Sequence, residues 1–189
     1  MMTNGLLSPL SSGKITASYM NSAYRNRFGF NHYGTDIVAT NGDWRVRASG
    51  YGRVLFTGVD KVLGGTLVVQ YGDLIARYFH LQATVCTAGD WVEQGEVIAL
   101  AGNTGKYTTG RHLHVEFDTD TKYWNWTPTL GTSTESFIGS RQGANNLTML
   151  DPMEVLDFDK GVDLEVRCKL MAENSLYVNT KDKVKGGTV

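Results

Sequence analysis

Thr66-Leu-Val-Val-Gln-Tyr-Gly-Asp-Leu-Ile-Ala-Arg-Tyr-Phe-His-Leu81 is the stretch whose reading decides the fold. Two apolar runs flank Gly72-Asp73, a two-residue loop with a leading glycine, which fits a type II′ turn and therefore a β-hairpin. On the return strand, period-two alternation puts Ala76, Tyr78 and His80 on one face and Ile75, Arg77 and Phe79 on the other. Outward from the hairpin, other short runs are bounded by glycine: Arg53–Thr57, Val97–Ala101, His112–Phe117, and the smaller Trp91-Val92 before the turn Glu93-Gln94-Gly95. The 189 residues include 22 Gly, above the average of about 7%, and helical periodicity is scarce. The expectation is an all-β fold, mainly antiparallel sheet with few short helices, running from about residue 8 to 117.

Beyond the sheet the composition changes. Residues 118–149 are rich in Thr, Ser, Asn and Gly, yet Tyr123, Trp124 and Trp126 stand near their start, so a long ordered loop is expected. Asp151–Glu165 is acidic, and within it Pro152–Phe158 reads as a short helix beginning at Asp151 with Pro at its first position. Lys181–Val189 reads as a frayed tail or a junction.

Composition excludes several classes. Lys plus Arg is 18 against 19 Asp plus Glu, a net charge of −1, which argues against a dedicated nucleic-acid binder. No run approaches the roughly 18 apolar residues of a membrane span, so no membrane insertion is expected. The first residues show neither a basic nor an apolar signal region, so no secretory signal is expected. Cys86 and Cys168 stand far apart and outside any CxxC pair, which removes a cysteine-based zinc site.

The four histidines carry the chemistry. His32-Tyr-Gly-Thr-Asp36 holds an imidazole and a carboxylate four apart. Gly34 and the β-branched Thr35, Ile37 and Val38 argue against a helix there; a turn entering a strand can still bring both side chains to one point, and a surface His with a turn Asp is the plain alternative. In Arg111-His-Leu-His-Val-Glu-Phe117, strand alternation turns His112, His114 and Glu116 one way and Leu113, Val115 and Phe117 into the core. Two imidazoles and a carboxylate on one face need water, hydrogen bonds or a metal, and a solvated outer face is the plain alternative. His80 closes the set, beside Tyr78 on its face. Together, four His and one Asp can supply three zinc ligands and two further imidazoles, and catalytic zinc usually keeps three protein ligands and an open position.

Three motifs stand in order: HxGxD at His32–Asp36, Tyr-x-His-Leu at Tyr78–Leu81, and HLHxE at His112–Glu116. With Ala48-Ser-Gly50, Gly52-Arg-Val54, Val92–Ile98, Gly102–Gly105, Thr109–His112 and Asp151-Pro152, the chain resembles the M23 family of zinc metallopeptidases, of LytM/lysostaphin type, over residues 8–157. The resemblance implies one zinc on His32, Asp36 and His114, and His80 and His112 as the catalytic imidazoles. It implies an antiparallel sheet crossed by a substrate groove, and hydrolysis of peptide bonds in the cross-links or stems of bacterial peptidoglycan. It places a peptidase domain at 1–158 and an extension or junction at 159–189. Two departures stand out: Arg111 where many members have Pro, and the long segment 118–149, which puts substrate choice in question.

Smaller roles follow the same reading. Glu116 is either an orienting partner of an imidazole or a solvated carboxylate. Tyr78 reaches the reacting oxygen or packs, packing being favoured. Arg111 meets a substrate carboxylate or is simply exposed. The aromatics at 123–126 wall the groove or, preferentially, pack the loop. The rival readings are a non-enzymatic wall-binding or activator domain and a structural virion or tail component carrying the lytic domain. Without a secretory signal, the expected setting is a phage lysin, a virion-associated protein with tail partners, or an excised domain of a secreted enzyme.

Overall fold

The computed structural model describes residues 5–128, 146–157 and 176–178. In chain order the strands are β1 (Leu6–Leu7), β2 (Gly13–Ala17), β3 (Thr35–Ala39), β4 (Arg45–Arg47), β5 (Gly52–Asp60), β6 (Gly64–Tyr71), β7 (Leu74–Thr84), β8 (Trp91–Val92), β9 (Val97–Ala101), β10 (Leu113–Asp118), β11 (Met149–Leu150), β12 (Leu156–Asp157) and β13 (Leu176–Val178). The α-helices are α1 (Ser22–Phe28) and α2 (Pro152–Val155). The main sheet runs β13-β2-β3-β10-β7-β6-β5-β8, with β9 joining β7 to β4 and β11 beside β10. Its pairings are antiparallel, as the sequence predicts; only β1 and β12 pair in parallel, as a separate two-stranded sheet.

The hairpin is β6–β7. Tyr71 faces Leu74 across Gly72-Asp73, and Gly72 takes φ 59° while Asp73 is not among the positive-φ residues, the signature of a type II′ turn. Alternation then sorts the side chains. Leu67, Val69, Tyr71, Leu74, Ala76 and Tyr78 enter the larger core, with Ile15, Ile37, Leu113, Val115 and Phe117 from the strands beyond. Val68, Ile75 and Phe79 enter a smaller core under Val62 and Leu63, against which Leu55, Phe56 and Trp124 pack. Each fully buried Leu, Ile or Phe contributes roughly 1.5–3 kcal/mol. The hairpin is therefore covered on both faces, and it is the rigid middle of the sheet that carries the site.

Several elements exceed the sequence reading. The strand expected at Arg53–Thr57 extends over Gly52–Asp60, and β1, β2 and β4 precede it beside the expected β3. Helix α1 was not foreseen. Its caps are legible: Asn21 Oδ1 accepts from the Tyr24 amide at 2.8 Å, and Gly29 ends it at φ 82°. It buries no residue, so it has no apolar stripe for periodicity to find. Helix α2 has the expected Asp151 cap and Pro152 start, but stops at Val155 because Leu156 turns extended to pair with β1.

The expected loop is ordered over 118–128, with a 3₁₀ turn at Thr121–Tyr123; residues 129–145 lie outside the described residues. Within the segment 159–189, β13 pairs with β2, while the tail 181–189 and Cys168 lie outside the described residues. Cys86 is a buried free thiol. Among the described residues, no helix is long and apolar enough to cross a membrane.

Candidate metal centre and active site

Pairing of β3 with β10 sets Asp36 directly opposite His114. Opposed residues share a face with Cβ atoms roughly 5 Å apart, so the register alone brings the carboxylate to the imidazole. His32 reaches the same point from the turn before β3, anchored by Nδ1–H donation to the Ser18 carbonyl at 2.8 Å. Gly34 lets this turn close over β10. A Cβ there would stand 2.5 Å from His114 Nε2 and 2.6 Å from the Val115 carbonyl. The turn entering a strand, read from the sequence, is the geometry found.

Three donors converge. Asp36 Oδ1 lies 2.8 Å from His114 Nδ1 and 3.1 Å from His32 Nε2, and those two nitrogens are 3.1 Å apart. Ligands on a tetrahedral zinc with bonds of about 2.0–2.1 Å sit about 3.3 Å apart, so a small expansion would admit the ion. Two ring nitrogens facing each other at this distance need a proton or a cation between them and Asp36. Burial alone would raise the Asp36 carboxyl, but His32 and His114 outweigh it and hold it well below the usual carboxylate range. Burial lowers His114, and hydrogen bonds from its ring N–H groups to Asp36 and Glu116 overcome it, raising the imidazole to about 9. The donor set suits a divalent ion of zinc type.

His80 stands where strict alternation would not put it. The sequence reading places it beside Tyr78, but Tyr78 is buried in the larger core, its hydroxyl 3.0 Å from that of Tyr71 and 3.2 Å from Ser49 Oγ. Tyr78 packs and does not reach the cleft. His80 instead takes φ 61° at a register shift, where three steps along β7 match two along β6. This bulge swings its ring to the opposite side, 4.8 Å from the His112 ring and 6.1 Å from that of His114. A left-handed non-glycine residue costs about 1–2 kcal/mol. Hydrogen bonds hold it: the His80 amide donates to Leu63 O at 2.9 Å, and Thr104 Oγ1 bridges the Leu81 carbonyl and the Gly65 amide, both at 2.8 Å.

The two remaining imidazoles are held alike. His80 Nδ1–H donates to Thr104 O at 2.8 Å, and His112 Nδ1–H donates to Gly110 O at 2.7 Å. Each therefore has Nε2 left for the cleft. His112 Nε2 is 3.8 Å from Asp36 Oδ1. Burial, with the two neighbouring imidazoles, pushes His80 down to about 4.

The face carrying His114 and Glu116 is not solvated. Glu116 is fully buried; its Oε1 lies 3.2 Å from His114 Nε2 and accepts from Thr127 Oγ1 at 2.8 Å. Register puts Arg77 opposite Glu116. Its guanidinium, also fully buried, donates to Asp118 Oδ2 at 2.8 Å and to the Trp124 carbonyl at 3.1 Å, with Nη1 3.9 Å from Glu116 Oε2. The segment after β10 thus lids this face, with Trp126 buried and Trp124 stacked on Phe56. These aromatics pack rather than wall the groove. Arg111 is also occupied, its guanidinium donating to Ala101 O and lying 4.7 Å from the Trp44 ring. Glu116 is the orienting partner of His114. Removing such an outer partner typically lowers metal affinity 10–100-fold, so Glu116→Gln is expected to do so in a competitive zinc titration while the fold, followed by circular dichroism, persists.

Four of the five residues, Asp36, His80, His112 and His114, form one wall of a cleft of about 280 Å³, and His32 is fully buried behind it. The other wall comes from α1 and Tyr107, with Tyr24 stacked on His32 at 4.3 Å. Sequence reasoning missed this wall because nothing in α1 marks it as close to the motifs.

A sequence profile of "Peptidase family M23" matches residues 30–126. The chain belongs to peptidase family M23. Among M23 relatives, peptidoglycan DD-endopeptidase ShyA of Vibrio cholerae is 40% identical over 86 residues, 45% of this chain and 20% of that protein. Glycyl-glycine endopeptidase ALE-1 of Staphylococcus capitis is 32% identical over 114 residues, 53% of this chain and 31% of that one. The chain thus spans between a fifth and a third of these relatives. The M23 fold itself recurs in the antimicrobial peptidase lysostaphin from Staphylococcus simulans, with a TM-score of 0.58 at 23% identity, covering 82% of this chain and 54% of that one.

Proposed function

We propose that this chain is a zinc-dependent endopeptidase that hydrolyses peptide bonds in the cross-links or stems of bacterial peptidoglycan. One observation carries the reading: three metal-type donors and two further imidazoles with Nε2 left for the cleft meet in one place. His32, Asp36 and His114 would hold one zinc, since their donor atoms lie within 4.8 Å of one another and His32 and His114 are braced from behind by Ser18 O and Glu116. Bound zinc supplies a Lewis acid and brings a water's pKa to about 7.

The chain's own residues do the rest. His80 or His112, each with Nδ1–H fixed by a carbonyl, accepts the proton of the attacking water at Nε2 and returns it to the leaving amine. The other, when protonated, donates from Nε2 to the developing oxyanion. Peptidoglycan as substrate rests on family membership and on the named activities of the relatives. The phage-lysin or virion-borne setting read from the sequence belongs to this proposal too.

Digestion of purified peptidoglycan of several wall types, read by mass spectrometry, tests it. New amine and carboxyl ends are expected, lost with chelator and restored by zinc. A folded protein that holds zinc and cleaves none of the wall types points instead to the non-enzymatic binding or activator reading. One that holds no zinc removes the ligand assignment.

A further inference from the structure

The second wall of the cleft bears a charge that the reaction does not use. Arg27, in the last turn of α1, is exposed and is the one Lys or Arg lining the cleft among the described residues. Its guanidinium lies 5.0 Å from the Phe28 ring, and no ion pair with a carboxylate holds it among the described residues. Arg45 and Arg47 are engaged on Asp43, Arg77 on Asp118, and Arg111 on Ala101 O and Trp44, while Arg25 and Arg53 do not line the cleft. The one acidic residue lining the cleft, Asp36, is committed to His32 and His114. An open guanidinium beside aromatic rings, in a cleft with no competing free carboxylate, is a receptor for a substrate carboxylate.

Two kinds of peptidoglycan cross-link frame the choice. A glycyl-glycine bridge is uncharged along its length. A cross-link through diaminopimelate carries a carboxylate on the carbon next to the scissile nitrogen. Resting on the endopeptidase reading above, we propose that Arg27 makes this cleft selective for peptides bearing a carboxylate beside the scissile amide, and disfavours neutral glycyl bridges. Lys106 is the rival cation: it precedes Tyr107 and its ammonium is 5.5 Å from that ring.

Product-type peptides test this without cleavage. A stem peptide containing diaminopimelate, with the carboxylate beside its free amine intact or converted to carboxamide, is titrated into the zinc-loaded full chain by calorimetry. The carboxylate form is expected to bind about five- to tenfold more tightly, the range between an exposed ion pair and a charge-assisted hydrogen bond. Arg27→Gln should bring that ratio to about one and Arg27→Glu should invert it, whereas Lys106→Gln should leave it in place. Arg and Gln have similar helix propensity, so α1 is kept. A ratio near one in the wild type, no binding of either peptide, or a ratio that follows Lys106 overturns the proposal. So does an Arg27→Gln variant that melts lower but keeps the ratio, since Arg27 would then serve only the helix end. Cleavage of matched cross-linked peptides separates this from the enzymatic reading. Hydrolysis with no charge preference sinks the selectivity alone; a charge preference in binding with no hydrolysis sinks the enzyme alone.

Discussion

With His114 replaced by alanine, metal content is expected to fall from one zinc per chain to near zero, and hydrolysis of peptidoglycan to fall to background. His114 is central to the donor set: its Nδ1 lies 2.8 Å from Asp36 Oδ1 and 3.1 Å from His32 Nε2. Asp36→Ala should behave in the same way, since Oδ1 faces both imidazoles. The loss of affinity should exceed the roughly 10–100-fold that removal of an outer partner costs, because an inner ligand itself is gone. Metal analysis of the purified variants, with rates measured at added zinc, reads both effects. The sheet should survive, because the larger core lies on the other face of β10, under Leu113, Val115 and Phe117. A His114→Ala protein that kept one zinc and its activity would remove this residue from the metal set.

The second large effect separates chemistry from metal binding. His80→Ala and His112→Ala should keep most of the zinc and lose activity. Neither residue belongs to the three-donor group; each has Nδ1 tied to a carbonyl and lines the cleft. A positioned general acid or base contributes typically 10²–10⁴-fold, and an oxyanion donor on the order of 10²–10³-fold. Losses in kcat of that size at unchanged zinc are the expected result. His80→Ala should leave the left-handed strain at φ 61° in place, since alanine is no better suited to that conformation. Its thermal stability should therefore move little. Cleavage left intact in either variant would remove the role proposed for it.

Much of this was legible in the chain. Gly72-Asp73 between two apolar runs marked the hairpin, because a leading glycine supplies the positive φ of a two-residue turn. The HxGxD, Tyr-x-His-Leu and HLHxE motifs marked the five residues of the site, four of which line the cleft. What misled was strict alternation at His80. Alternation assumes unbroken strand dihedrals, and one residue in the left-handed region at a bulge reverses the side on which the next side chain emerges. The same rule left Glu116 open between solvent and site, because period two names a face and not what covers it.

The sequence by itself therefore determined the sheet class, its central turn and the residue types of a metal site, since each follows from local dihedral preference or donor chemistry. Tertiary structure decided the rest. The β3–β10 register set Asp36 against His114, the Thr104 clamp turned His80 into the cleft, and Arg77, Thr127 and the chain after β10 buried Glu116 behind His114. Helix α1, with no buried residue of its own, was carried to the cleft by the strands on either side of it and supplied the second wall. These are contacts between residues far apart in the chain, and no local pattern encodes a distance across a fold.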